Sequence, residues 1–160
     1  MNTFAGPLHA FLSGSGTDAR GRGVGAVLAF DDGALERHHD YIQWLFPLSV
    51  PSMAQPGSPV LSSPEAAAIR GDTRAVANLR AAAAMMRGFY GRQRHWLTAH
   101  DHNHLRITRI VRSLDTLVGR EDAEAFLAAI LADNAAAGGP VNPTSLRYWR
   151  EALSPGPGTA

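Results

Sequence analysis

The chain has 160 residues, the size of a single domain with a substantial core. It contains no cysteine, which excludes disulfide bonds, a thiolate nucleophile and a cysteine-based zinc site. The formal net charge is only +1, yet residues 65–119 carry nine arginines against four acids, which indicates an anionic partner or a local ion-pair network.

The sequence shows no membrane-spanning segment or targeting signal. Its longest apolar runs, such as AVLAF at residues 26–30, are far shorter than a helix that crosses a bilayer. The N-terminus lacks a basic region followed by an apolar one, so we expect a cytoplasmic protein. Every basic residue is arginine, and alanine and glycine abound, which is typical of GC-rich bacterial coding.

The first feature in chain order is a glycine-rich segment at residues 14–25, which includes two arginines. Its composition suggests a phosphate-binding loop. No strand precedes it and no Gly-Lys-Ser/Thr follows it, so we predict turns and short helices instead of a nucleotide site.

Residues 35–48, LERHHDYIQWLFPL, predict an aromatic-rich amphipathic helix that Pro47 ends. At about 100° per residue, one broad face of this motif helix holds Leu35, Tyr41, Ile42, Leu45 and Phe46. Trp44 lies roughly 140° from the centre of that face, so it must pack against a second element or face a ligand. His38 is expected to be buried and hydrogen-bonded, which leaves His39 as the better functional candidate.

A proline-rich connector, residues 48–64, follows the motif helix and excludes a regular helix. Start signals, apolar stripes and stop signals then predict helices near residues 64–70, 73–91, 103–118, 121–134 and 144–153. No stretch shows sustained period-two alternation. We therefore predict a single compact all-α domain over residues 1–153 and a disordered tail at 154–160.

Catalytic and metal-binding patterns are weak. The trio His100, His102 and His104 has a spacing that turns side chains about 200° apart on a helix, so it could converge on a metal only in a loop or strand. His39 and Asp40 point about 100° apart on a helix, which does not suit a catalytic dyad. We predict no catalytic residue, metal or cofactor, and keep a histidine-dependent metal enzyme as a less favoured alternative.

The basic middle third has its main concentration at Arg87, Arg92, Arg94, Arg106, Arg109 and Arg112. On their helix, Arg109 and Arg112 lie opposite the apolar stripe and are expected to be solvated. Arg106 flanks the stripe and is expected to bind a carboxylate or a backbone end. The interleaved aromatics Phe89, Tyr90 and Trp96 resemble a single-strand nucleic-acid surface, although the first two also fit core positions. A nucleic-acid-associated module is therefore an alternative function.

Three blocks together resemble one known family. They are residues 35–48, MMRGFYG at 85–91, and HNHLRITRIVRSL at 102–114. The first is similar to the pattern L-E-x-x-H-x-Y-I-Q-W-L-F-P-L and the third to H-N-N-L-R-I-T-R-I-L-x-S-L, both from the conserved N-terminal region of the opioid growth factor receptor family. The resemblance implies an α-helical domain, which in animal members belongs to a receptor for the opioid growth factor peptide.

Polar or aromatic positions at which the chain matches this pattern are His39, Tyr41, Gln43, Trp44, His102, Asn103, Arg106, Thr108 and Arg109. All except Thr108 are our ligand-binding candidates, because core packing alone would not specify residues such as Gln43 or Asn103. We hypothesise that His39, Gln43 and Trp44 face Asn103 and Arg106 across a shared polar seam. This seam is either a ligand site or a buried hydrogen-bond network. The leading prediction is a non-enzymatic helical domain that binds a peptide or a small anionic molecule.

Overall fold

The computed structural model describes residues 4–153, and the tail predicted at 154–160 lies outside the described residues. The described part folds into nine α-helices without a strand, which confirms the all-α prediction. The helices are α1 Pro7–Leu12, α2 Val24–Leu28, α3 Asp32–Arg37, α4 Ile42–Leu45, α5 Ser63–Arg70, α6 Thr73–Arg92, α7 Asn103–Leu117, α8 Arg120–Ala136 and α9 Pro143–Glu151. None of these helices is long and apolar enough to cross a membrane.

Helix α7 lies at the centre of the packing and contacts α5, α6, α8 and α9. Its buried face is the predicted stripe of Ile107, Ile110, Val111 and Leu114. Trp149 of α9 packs over the start of α7, and its indole N–H donates to the carbonyl of His104 at 2.9 Å. The polar side of α7 faces the N-terminal third of the chain, since its side chains bond to backbone carbonyls there.

Local capping explains why the later helices begin where the sequence predicts. The side chain of Ser62 accepts from the amide of Glu65 at the start of α5, and that of Asp72 accepts two amides at the start of α6. The buried Glu65 carboxylate also accepts the amides of Leu8 and His9, at 2.9 and 3.0 Å. The carboxylate therefore fixes α1 against α5, because it binds the positively polarised N-terminus of α1.

The prediction of one continuous motif helix over residues 35–48 is wrong, because the segment forms two short helices. Helix α3 ends at Arg37, His38 is extended with ψ of 139°, and α4 is a single turn. A continuous helix would use the carbonyls of Leu35 and His38 for amides four residues on. Both carbonyls instead accept from Arg106 of α7, at 2.8 and 2.7 Å. The residues predicted on the apolar face are nevertheless buried.

The connector predicted at residues 48–64 has no helix up to Ser62, as its prolines predict, and its last two residues, Ser63 and Pro64, form the first turn of α5. Its C-terminal end returns to its N-terminal end, because the amide of Leu61 donates to the carbonyl of Leu48 at 2.9 Å. Leu61 is buried in the core. The intervening residues form a loop that lies beside α4 and α7.

Candidate functional site

Arg106 is the hub that joins the break between α3 and α4 to α7. Its side chain is buried, and one terminal nitrogen donates to the carbonyl of Leu35 and, at 3.2 Å, to the hydroxyl of Tyr41. The other donates to the carbonyl of His38 and, at 3.2 Å, to Nδ1 of His39. The prediction that Arg106 binds a backbone end is confirmed. The predicted proximity of His39 and Arg106 across a seam is also found.

Beside this hub lies an open cleft of about 370 Å³ between α4, the connector and α7. We call it the arginine cleft. Its polar walls include Gln43 and three arginines of α7, Arg106, Arg109 and Arg112. Its apolar walls include Ile42, Leu48, Val50, Met53 and Leu105. None of its lining residues is an acid, so the cleft has a positive potential enclosed by apolar surface.

Arg109 is a half-buried cation on the wall of this cleft. Its Nε donates to the carbonyl of Phe46 at 2.7 Å, and one terminal nitrogen lies 3.5 Å from the carbonyl of Gln43. Burial lowers the pKa of Arg109 to about 10, which leaves it charged at neutral pH. Within residues 4–153 it pairs with no acid. A partly desolvated charge without a counter-ion favours the entry of an anion.

The expected solvation of the two outer arginines is therefore right for Arg112, which is exposed, and wrong for Arg109. The stripe of α7 places Arg109 away from the core formed by its own helix. Helix α4 and the connector cover that side of α7, however, through contacts that no periodicity within residues 103–118 can reveal.

Gln43 and Trp44 are neighbours that face opposite ways. Gln43 lines the cleft and is 3 % exposed, and its Oε1 has no hydrogen-bond partner among the residues that the structure describes. Trp44 packs edge-on against Phe11 of α1, with ring centroids 5.5 Å apart. The predicted position of Trp44 across a seam from Arg106 is wrong. Its anomalous helical angle reflects packing against a second element.

Asn103 belongs to a separate polar cluster at the start of α7. Its Oδ1 accepts from the hydroxyl of Tyr90 at 3.0 Å, and its Nδ2 donates to Asp101 at 2.9 Å and Glu36 at 3.2 Å. Neither Asn103 nor any of these partners lines the arginine cleft. The prediction that Asn103 faces Gln43 is therefore wrong.

Glu36 of this cluster connects two histidines. Its carboxylate lies 2.9 Å from Nε2 of His95 and 2.8 Å from Nε2 of His102. Burial opposes its charge, but hydrogen bonds from Asn103 and His95 outweigh burial and hold the pKa of Glu36 below its ordinary value. His102 also lines the arginine cleft, so it is the one predicted candidate that touches both sites among the described residues.

The remaining histidines do not converge. His104 Nε2 contacts the carbonyl of Trp96 at 2.8 Å, and His100 lies beside Asn142, so both point away from the Glu36 cluster. Between residues 4 and 153 no group of three or more histidines and acids is arranged to hold a metal. His38 is only half-buried, with its ring stacked on Phe30, so the prediction of a buried His38 is wrong.

Sequence reasoning missed the connector as a wall of the site. Val50 and Met53 line the cleft, whereas the proline-rich pattern of the connector predicts only a link between helices. Both are large apolar side chains that the structure leaves exposed in a polar loop, and such side chains mark a partner surface. The prediction that Arg112 is solvated likewise omits its position on the wall of the cleft.

Tyr41 gives the hub a measurable pH dependence. Burial raises the pKa of Tyr41 to about 12, although the Arg106 guanidinium acts in the opposite direction. The unfolded chain loses this proton near its ordinary pKa, whereas the folded chain retains it, so stability should fall as the pH rises from about 10 to about 12. The loss is at most about 2.7 kcal/mol from the two-unit shift. Urea unfolding of the wild type and Tyr41→Phe at about pH 9 and about pH 11 measures it.

A second buried tyrosine, Tyr90, is present in both proteins and provides the internal control. Tyr90 is fully buried and its pKa is also raised, mainly by burial, so it contributes an alkaline decline to both the wild type and Tyr41→Phe. We expect a shallower alkaline decline in Tyr41→Phe. Parallel declines in the two proteins would show that the Tyr41 proton is not retained by the fold.

Comparison with known proteins finds one family to which part of the chain is similar. Residues 28–95 match the family model described as "Opioid growth factor receptor (OGFr) conserved region". The opioid growth factor receptor of Mus musculus is 38 % identical over 101 residues, which cover 52 % of this chain and 16 % of the receptor. That of Rattus norvegicus is 37 % identical over 101 residues, covering 52 % and 17 %. No solved structure matches the chain.

These matches extend over part of each protein. The alignments span about a sixth of the length of either receptor. The family model covers α3 to α6, including the connector, and ends before α7. It therefore includes the Gln43 wall of the arginine cleft, while the arginine wall lies C-terminal to it.

Proposed function

We propose that the chain is a non-enzymatic binding domain related to the opioid growth factor receptor conserved region, and that it holds a peptide or a small anionic molecule in the arginine cleft. The observation that carries the proposal is Arg109, a half-buried guanidinium that pairs with no acid between residues 4 and 153. The two related proteins are named receptors, which fits a domain that binds a ligand.

The cleft has the composition of a ligand site. A volume of about 370 Å³ lies within the range of about 300–1,000 Å³ that is usual for such sites. Apolar walls with a few polar groups provide contact area and orientation. Three guanidiniums on successive turns of α7, with no acid among the lining residues, select for negative charge.

The hydrogen bonding and protonation of His39, a histidine on the cleft wall, favour binding without catalysis. His39 accepts a hydrogen bond at Nδ1 from Arg106, so this nitrogen is not available to activate a nucleophile. Burial, with help from the charges of Arg106 and His102, holds the pKa of His39 below its ordinary value. The imidazole is thus kept neutral and serves as a neutral wall of the cleft.

The nucleic-acid alternative has less support. Phe89, Tyr90 and Trp96 are all fully buried, so they cannot stack on bases in this structure. Two arginines of the basic third, Arg80 and Arg92, are engaged with Asp122 and Asp32 respectively. Of the arginines in this third, Arg106, Arg109 and Arg112 share the wall of one cleft, and none of the three pairs with an acid among the described residues.

Removing the charge of Arg109 should weaken anion binding by about tenfold to a hundredfold, the range expected for hydrogen bonds to a charged group. The probe is 1-anilinonaphthalene-8-sulfonate, which combines an apolar ring system with one negative charge. Its affinity is measured by fluorescence titration for the wild type and for Arg109→Gln. The control is Arg74→Gln, which removes the same charge from an exposed position outside the cleft.

Equal affinity of the probe for Arg109→Gln and the wild type would contradict the proposal. A fluorescein-labelled single-stranded oligonucleotide tests the alternative. Binding through several arginines should weaken steeply as salt rises. Tight, salt-sensitive oligonucleotide binding that Arg74→Gln reduces as much as Arg109→Gln would favour the nucleic-acid module.

A further inference from the structure

We infer that the arginine cleft recognises the C-terminal end of a peptide, through its terminal carboxylate, its last backbone N–H and an apolar last side chain. This inference rests on the proposed function, because it specifies the chemical class of the ligand at the same cleft. Three independent features of the cleft carry it.

The first feature is a pair of guanidiniums suited to a carboxylate. Arg109 uses Nε for the carbonyl of Phe46, which leaves N–H groups on its terminal nitrogens for a ligand. Arg112 follows three residues later on α7, is exposed and forms no ion pair with the described residues. Side chains three residues apart share one helix face, and a planar guanidinium matches a carboxylate with two parallel hydrogen bonds.

The second feature is an acceptor without a donor. The Oε1 atom of Gln43 is buried and unpartnered, on a side chain that lines the cleft, and the Gln43 carbonyl lies 3.5 Å from Arg109. The terminal torsion of glutamine is broad, so a small rotation can direct this oxygen to a ligand. A sulfate dianion brings acceptors only and would leave Oε1 unsatisfied, and a phosphate, although it carries an O–H, has no apolar group for the apolar walls. The last amide N–H of a peptide lies next to its carboxylate and supplies the missing donor.

The third feature is the exposed apolar rim. Val50, Met53 and Leu105 are 54 %, 94 % and 70 % exposed, and they are three of the five exposed large apolar residues in the described part of the chain. All three line the arginine cleft. An apolar side chain beside the bound carboxylate would cover them. A peptide N-terminus fits poorly, because the cleft has three cations and no acid to receive an ammonium group.

The experiment uses three versions of one peptide, acetyl-Ala-Ala-Ala-Leu. The first has a free carboxylate, the second a C-terminal amide, and in the third an ester oxygen replaces the last amide N–H. Calorimetric titration of the wild type should show the acid binding at least about tenfold tighter than the amide. It should also bind about fivefold tighter than the ester version, since one neutral hydrogen bond is lost.

Variants assign each preference to a side chain. In Arg109→Gln the acid-to-amide ratio should fall towards one, and in Gln43→Met the acid-to-ester ratio should do so, while the other ratio persists in each. Arg74→Gln is the control and should retain both ratios. Circular dichroism of every variant confirms that the fold is intact.

The outcomes separate this inference from the proposed function. If the amide binds as tightly as the acid, or the ester version as tightly as the acid, the inference is overturned, and Arg109-dependent binding of the sulfonate probe still supports the proposed function. If inorganic phosphate displaces the probe at lower concentration than the acid peptide does, the cleft selects phosphate and the inference is also overturned. If neither the probe nor any peptide depends on Arg109, both fail.

Discussion

Arg106→Met is expected to lower the free energy of unfolding by about 3–4 kcal/mol, because the guanidinium makes several hydrogen bonds in a buried position. The carbonyl of His38 would lose its contact with Arg106, and Tyr41 and His39 would each lose a donor. Part of the loss is offset, since methionine removes a cation that pairs with no acid in the described part of the chain. Urea unfolding followed by circular dichroism measures the difference.

The matched control is Arg112→Met on the same helix. Arg112 is exposed, and its side chain forms no ion pair among residues 4–153, so its loss should change stability by less than about 0.5 kcal/mol. Arg106→Lys should fall between the two, because it keeps the charge but not the planar fork that reaches two carbonyls. A loss below about 1 kcal/mol in Arg106→Met would mean that water replaces the guanidinium.

The seam hypothesised from sequence divides into two parts with different roles. Arg106 and Tyr41 form a buried network that fixes the break between α3 and α4, so they are architecture. Gln43 and Arg109 lie on the open side, where polar capacity remains unused. Binding experiments are therefore best directed at Gln43 and Arg109, whose substitution leaves the hub intact.

Helices α5 to α9 could be predicted from the sequence because their determinants are local. Asp72 caps α6 within three residues of its own position, and the stripe of α7 repeats within one helix. The motif region could not be predicted in this way. Its aromatic periodicity is helical, but the carbonyls that a helix needs are taken by Arg106, about seventy residues further along the chain.

The sequence predicts which residues belong to the site better than it predicts how they are arranged. The resemblance singles out His39, Gln43, Arg106 and Arg109, and the structure brings these four, together with the candidate His102, to one cleft. It also singled out Trp44 and Asn103, which the break after α3 and the cluster around Glu36 direct elsewhere. Whether the four bind a ligand stays a prediction. The connector wall could not be inferred, because loops have no periodicity from which a facing surface follows.

Trp44→Ala is expected to destabilise the fold by about 3–5 kcal/mol, the usual cost of removing a buried tryptophan side chain from a core. Trp44 is 7 % exposed and packs edge-on against Phe11, which is itself fully buried. The cavity would open between α1 and α4, on the side of α4 away from Gln43. Affinity for the sulfonate probe, measured under conditions where the variant is folded, should stay within about twofold of the wild type.

Met53→Ala provides the opposite pattern and serves as the control. Met53 is 94 % exposed at the rim of the cleft, so its loss should change stability by less than about 0.5 kcal/mol while weakening probe binding. If Trp44 contacted the ligand instead of the core, Trp44→Ala would weaken probe binding and leave stability unchanged. A Trp44→Ala protein with wild-type stability and no probe binding would place Trp44 in the site. A large loss of stability with unchanged affinity makes Trp44 a core residue, which holds α4 and therefore Gln43 in position.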